Sequence, residues 1–139
     1  MMRKYKSLTQ YIEIFEDMSD FGTYHGCEEV GRAESGIPIL NLPWVEYNET
    51  VKDFIREVHR FDKKHPFYGL KHYGRVLQHL CPEDTYVDEV DERYLSGKEL
   101  MAFIYGTIVE ERLIDGNIKQ TLEEGTMLRW LRRLREIDG

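Results

Sequence analysis

Four of the five histidines, His59, His65, His72 and His79, fall within one short middle stretch, and Cys81 follows them closely. Imidazole and thiolate are good zinc ligands, so metal chemistry is sought here first. His72 and His79 are seven residues apart. On a helix that spacing is one face but about 10 Å along the axis, too far to share an ion unless the chain turns between them. A second cluster, His25, Cys27 and Glu28, sits among glycines. It reads as a ligand set, as a thiol nucleophile with an imidazole base, or as chance neighbours in a loop. Neither cluster has the spacing of a metal motif, and no metal, cofactor or catalytic residue is expected. Trp44 and Tyr47 beside Glu46 suit a pocket with aromatic walls and one carboxylate. Alternatively, Trp44 anchors an extended segment in the core and Tyr47 is its amphipathic edge.

Adjacent carboxylates occur at Glu28-Glu29, Glu110-Glu111 and Glu123-Glu124. On a helix they point about 100° apart and do not make an acid–base pair. They read as solvated faces or ion-pair partners, as with Glu111 near Asp115 and Arg112. The chain has no Gly-rich phosphate loop, no Gly-x-Ser-x-Gly elbow and no His-Glu-x-x-His helix.

Charge is unevenly distributed. Residues 13–53 hold ten acidic and two basic side chains, net −8, and residues 83–99 hold seven and two, net −5. Over residues 56–75, Arg56, Arg60, Lys63, Lys64, Lys71 and Arg75 outweigh Glu57 and Asp62, net +4. Near the end, Arg129, Arg132, Arg133 and Arg135 outweigh Glu136, net +3. If the two basic stretches meet in space, they form a cationic face suited to phosphate or to an acidic partner. Trp130, toward the edge of the last helix's apolar stripe, is expected to anchor an interface.

The elements that would position these residues follow from periodicity. Ser7 and Gln10 suit a capping box, and Leu8, Tyr11, Ile12, Phe15 and Met18 predict a helix over about 8–18. Glycines dissolve the pattern from Phe21 to Gly36, the longest expected loop. The prolines in Ile37–Tyr47 force an extended segment, expected to cross the core as an irregular strand. Asn48 caps a helix carrying Val51, Phe54, Ile55, Val58 and Phe61, with Glu49 in its first turn. Tyr73, Val76, Leu77 and Leu80 mark a third helix ending before Cys81-Pro82. Ser96 and Glu99 form a capping box for the apolar run Leu100–Val109, in which Gly106 implies close approach of a neighbour. Gly116 and Gly125 bracket a short helix, and Met127, Leu128, Leu131, Leu134 and Ile137 form the stripe of the last one. The short helix, Gly125 and the arginine-rich helix also suggest a helix-turn-helix reaching nucleic acid.

With 139 residues, 41% hydrophobic and 12% aromatic, the chain can build a packed core, and it is too rich in large side chains for a disordered one. A net charge of −7 argues against coating a polyanion with the whole surface. Two cysteines are too few for a disulfide framework, and Met1–Lys6 leads into no apolar stretch of an export signal. A cytoplasmic location, without membrane association, is expected.

Leu42-Pro43-Trp44-Val45-Glu46-Tyr47-Asn48 resembles the Leu-Pro-aromatic-Val-Glu-Tyr signature of a family of small, uncharacterised bacterial and archaeal proteins. Glu111-Arg112-Leu113, Gly116, Ile118, Glu124-Gly125 and Leu128–Leu134 are similar to that family's closing pattern. The resemblance runs from about Leu42 to Ile137 and is tightest at its two ends. It implies a compact helical domain of unknown function and transfers no catalytic residue.

The expectation is therefore an all-α or mostly α single domain over residues 1–139, a bundle of about five to six helices. Residues 1–36 form a helix and a Gly-rich loop, 37–139 the helical core, and the irregular extended segment lies near 37–47. The chain acts by binding a protein partner or a second copy of itself. A nucleic-acid-binding regulator using the C-terminal segment is one alternative, and a small enzyme or metal-binding protein using His25, Cys27 and Glu28 is another.

Overall fold

A computed structural model of the protein describes residues 3–26, 28–41, 43–83 and 85–139. The described residues are mostly helical, with α1 (Lys6–Thr9), α2 (Ile12–Asp17), α3 (Glu49–Lys64), α4 (Tyr73–Leu80), α5 (Gly97–Glu110), α6 (Asn117–Glu123) and α7 (Thr126–Asp138). Helix α5 is the centre, apolar on every side as its sequence requires, and α3, α4, α6 and α7 pack against it. One core cluster runs from Tyr5 to Leu134. It is rich in aromatic pairs: Phe15 lies edge-on to Phe54, and Phe103 edge-on to Trp130.

The helix starts obey local chemistry. The Asn48 side chain accepts from Val51 N at 3.0 Å. At α5, Ser96 Oγ accepts from Glu99 N at 3.1 Å while the Glu99 carboxylate accepts from Ser96 N at 2.9 Å, a complete capping box. Two glycines let other elements reach α5. A Cβ on Gly106 would lie 2.7 Å from the Tyr73 ring, and one on Gly97 would lie 2.0 Å from the Tyr5 hydroxyl. The α4–α5 approach implied by Gly106 is thus made by an aromatic ring.

The N-terminal third departs from expectation. The first helix is broken at Gln10-Tyr11 into α1 and α2. Ser7 caps neither piece, and its carbonyl instead accepts from the Gln10 side chain at 2.9 Å. The glycine-rich segment is not a loop. It supplies β1 (Gly22–His25) and β2 (Glu28–Arg32), which pair with β4 (Trp44–Tyr47) and β3 (Pro38–Asn41). Both pairings are antiparallel, with Gly22 opposite Tyr47 and Arg32 opposite Pro38. The two antiparallel pairs make up the ribbon: β1–β4 is its root, and β2–β3 turns over Ala33–Ile37, where Ala33 N donates to Ile37 O.

The ribbon does not cross the core. Every residue from 29 to 40 is exposed, and Trp44 is 43% exposed. Prolines exclude helix here, and the extended segment is satisfied by pairing with the strands just before it. Tyr5 and the aromatic residues of α2, α3, α5 and α7 already fill the interior. Among the described residues, the ribbon reaches the body at its root, through Val45 and Tyr47.

Candidate functional site

Two segments distant in sequence meet at the ribbon's root. Tyr47, buried, donates its hydroxyl proton to Glu111 Oε1 at 2.6 Å and accepts from Lys119 N at 3.0 Å. Glu111 also accepts from Gly116 N at 2.7 Å and Ile118 N at 2.9 Å. The carboxylate therefore caps α6, whose first residues have no side-chain cap of their own. Burial, and then the bond to Glu111, push the Tyr47 phenol well above its ordinary range. Glu111 thus serves Tyr47 and α6 rather than Asp115 and Arg112.

Glu46 and Tyr47 line a depression of about 290 Å³ at the ribbon's root, and Trp44 does not join them there. Neighbouring strand residues face opposite sides, so Trp44 and Glu46 share one face of β4 while Tyr47 points into the body. Trp44 stacks on His25 with ring centroids 4.5 Å apart. His25 Nε2 lies 3.5 Å from Glu46 Oε2 and has no hydrogen-bond partner. Cys27 lies outside the described residues, so the His25, Cys27 and Glu28 constellation falls there too.

His72 precedes α4 without a side-chain capping bond and His79 lies in its last turn, both exposed. Among the described residues, no three His, Cys, Asp or Glu side chains are placed to hold one metal ion. Cys81 lines a groove of about 680 Å³ with Leu77, Tyr86, Val87 and Ile114. Burial, and then Glu89, push its thiol above the ordinary value, so the sulfur is held as a thiol rather than a nucleophilic thiolate.

The arginines of α7 are engaged within the chain. Arg135 grips Glu13 at 2.5 Å and the carbonyl of Thr9 at 2.9 Å, and Arg132 lies 3.4 Å from Glu16. Arg129 donates to Asp88 O at 2.8 Å, and Arg133 pairs with Glu136 at 3.1 Å. The Arg135 guanidinium holds the Glu13 carboxyl down at about 2. Trp130 is 0% exposed. The expectation that it anchors an interface is corrected: it faces Phe103 because its position continues the buried stripe of Met127, Leu131 and Leu134.

The other basic stretch behaves differently. On α3, Arg56 pairs with Asp53, and Arg60 with Glu57. Past them, Arg3, Lys4, Arg60, Lys64 and His65 surround a depression of about 200 Å³. Lys63, Lys71 and His72, with Asp62, surround a second of about 330 Å³. Among the described residues, Arg3, Lys4, Lys63, Lys64 and Lys71 make no ion pair. Arg75 is exposed on α4 and lines neither depression.

The loop between the depressions carries Phe67, 91% exposed. It is held from below. The His65 ring lies tilted against Phe61 with centroids 4.2 Å apart, the Tyr68 and Tyr5 hydroxyls are 2.7 Å apart, and Lys4 Nζ lies 5.8 Å from the Tyr68 ring centroid. Sequence reasoning found the lysines but neither the contribution of Arg3 and Lys4 nor Phe67. The signal available was the pair of aromatic residues, Phe67-Tyr68, placed directly after Lys63-Lys64-His65-Pro66.

The fold and these surfaces define a helical body with a projecting ribbon and a cationic corner. The chain belongs to a family of unknown function, DUF6508, whose model matches residues 1–139. No curated protein and no solved structure matches it. Among the described residues no helix is long and apolar enough to cross a membrane.

Proposed function

We propose that this chain is a non-enzymatic binding module that takes an acidic, partly apolar segment of a protein at the corner formed by Arg3, Lys4, Lys63, Lys64, Lys71 and Phe67. One observation carries the reading: an almost fully exposed phenylalanine stands on the loop between two depressions whose Arg3, Lys4, Lys63, Lys64 and Lys71 have no ion-pair partner among the described residues. An exposed aromatic ringed by free charge matches the anatomy of an interface, with an apolar anchor inside a polar rim. A protein segment suits it better than nucleic acid. Glu57 and Asp62 lie within the two depressions, and the net charge of −7 opposes a continuous polyphosphate, whereas carboxylates spaced along a peptide can meet the lysines singly.

The test is fluorescence polarisation with a labelled peptide of alternating glutamate and leucine, beside a random duplex and a single-stranded probe. The peptide should bind with a salt-dependent affinity that falls at least tenfold in the doubly substituted Lys63→Glu/Lys64→Glu chain and measurably in Phe67→Ala. Tighter binding of either nucleic acid than of the peptide, lost in the same variants, would replace this reading with the nucleic-acid one.

A further inference from the structure

The ribbon presents the opposite chemistry to the corner. Val30, Ile37, Ile39 and Leu40 are 56%, 65%, 49% and 58% exposed, and both ribbon edges are unpaired among the described residues. A two-stranded ribbon is marginally stable alone, and exposed apolar edges are natural pairing sites. Its charge is acidic. Glu29, Glu34 and Glu46 stand against Arg32, which already lies 3.1 Å from Glu29. An apolar, acidic ribbon and a cationic corner with an exposed phenylalanine are complementary, and one chain carries both.

Their placement also matters. The ribbon ends at Tyr47, one residue before the Asn48 cap of α3, and the corner lies at the other end of α3. Sixteen residues of helix separate them, about 24 Å. The outer pair β2–β3, with its turn over Ala33–Ile37, carries the exposed Val30, Ile37, Ile39 and Leu40. A two-fold between two copies can bring each ribbon onto the other's corner. The exposed side of α3 does not oppose this, because Lys52, Asp53, Arg56, Glu57 and Arg60 alternate in sign.

We infer that the chain forms a two-fold dimer in which each copy's ribbon lies on the other's cationic corner. Ile39 and Leu40 cover Phe67, and the ribbon's glutamates face Lys63, Lys64 and Lys71. Such an isologous exchange buries both surfaces at once and closes on itself. The inference rests on the corner reading above and names the acidic segment as the ribbon of a second copy of this chain.

Sedimentation velocity of the full chain over micromolar to high-micromolar concentration tests it. The expected result is a dimer for the natural sequence. The ribbon variant Ile39→Lys/Leu40→Lys and the corner variant Lys63→Glu/Lys64→Glu should be monomers with unchanged far-ultraviolet circular dichroism. Lys4→Glu/Lys71→Glu serves as a second corner variant if the first loses its fold. Mixing the ribbon variant with the corner variant leaves one intact ribbon-on-corner contact, so a mixed dimer should appear at least tenfold tighter than either variant's self-association. A natural chain that stays monomeric, a dimer that survives both variants, or a mixture that does not associate would each overturn the exchange. Titrating the alternating glutamate–leucine peptide into the ribbon variant separates the two proposals. Binding there without a natural dimer leaves the corner reading standing alone, and no binding with no dimer removes both.

Discussion

The arginines of α7 face Glu13, Glu16, Glu92 and Glu136 of their own chain, whereas Lys4, Lys63, Lys64 and Lys71 around Phe67 meet no carboxylate in an ion pair among the described residues. In sequence the two stretches are nearly alike, net +3 and +4. The difference is one of surroundings. Helix α7 is laid against acidic α2 and the acidic turns at Val87–Glu89 and Glu92–Tyr94, so its charge holds helices together. The corner lies where α1 meets the end of α3, and Arg3 and Lys4 add to the positive charge there instead of cancelling it. Positive charge in a sequence therefore reports available binding surface only once the neighbours of each side chain are known.

The sharpest way to break the contrast is to remove what seats α7. Trp130→Ala should cost about 3–5 kcal/mol, read as a lowered urea midpoint, because the ring is wholly buried against Phe103. A loss below about 1 kcal/mol would mean that α7 is not packed as described.

Next in size is the clamp at the ribbon's root. Glu111→Ala leaves Gly116 N and Ile118 N without their acceptor and should cost on the order of 2–3 kcal/mol. Hydrogen exchange should rise first in α6. The same clamp carries a pH signature. The Tyr47 phenol is raised above its ordinary value of 10.0, so its stabilisation is complete below pH 10 and is lost as pH climbs further. Alkaline unfolding should therefore shift to higher pH in Tyr47→Phe, relative to that variant's own stability at pH 8.

The grip of Arg135 on Glu13 gives a smaller effect of opposite sign in pH. The carboxyl is lowered from 4.5 to about 2, so the pair stabilises fully above about pH 4.5 and progressively less as pH falls toward 2. Paired melts of the natural chain and Glu13→Gln should differ at pH 6 in low salt and converge at pH 2.5. The smallest effect belongs to the corner: Lys63→Glu/Lys64→Glu, compared with the natural chain at concentrations where both are monomeric, should change stability by no more than about 1 kcal/mol, while Arg132→Glu/Arg135→Glu lowers the melting temperature by more. Equal destabilisation by the two charge reversals would erase the distinction.

Much of the helical body was legible in the residues. Asn48, Ser96 with Glu99, Gly106 and the stripes of α3, α4 and α7 each mark their element, because a cap or an apolar repeat acts within a few residues. The ribbon was not, since glycines and prolines announce irregularity without saying which strand an extended segment will find. The two clusters of the signature and closing pattern, at Tyr47 and Glu111, were legible separately. That they form one hydrogen-bonded unit lay beyond sequence reading, since they stand 64 positions apart in the chain. For the candidate site, Lys63, Lys64 and Lys71 could be named from charge alone, but Trp130 was misplaced and Phe67 passed over. Whether a side chain one step from a stripe is buried depends on which helix packs beside it.

By itself, then, the sequence determined the mostly helical character, the positions of most helices and the existence of two basic stretches, all set by interactions spanning one or two turns. The tertiary structure alone decided that one stretch is consumed in ion pairs and the other left open, that an exposed phenylalanine stands in the open one, and that an acidic ribbon projects from the other end of α3. Charge and apolar area are properties of residues, but their availability is a property of what has been packed against them.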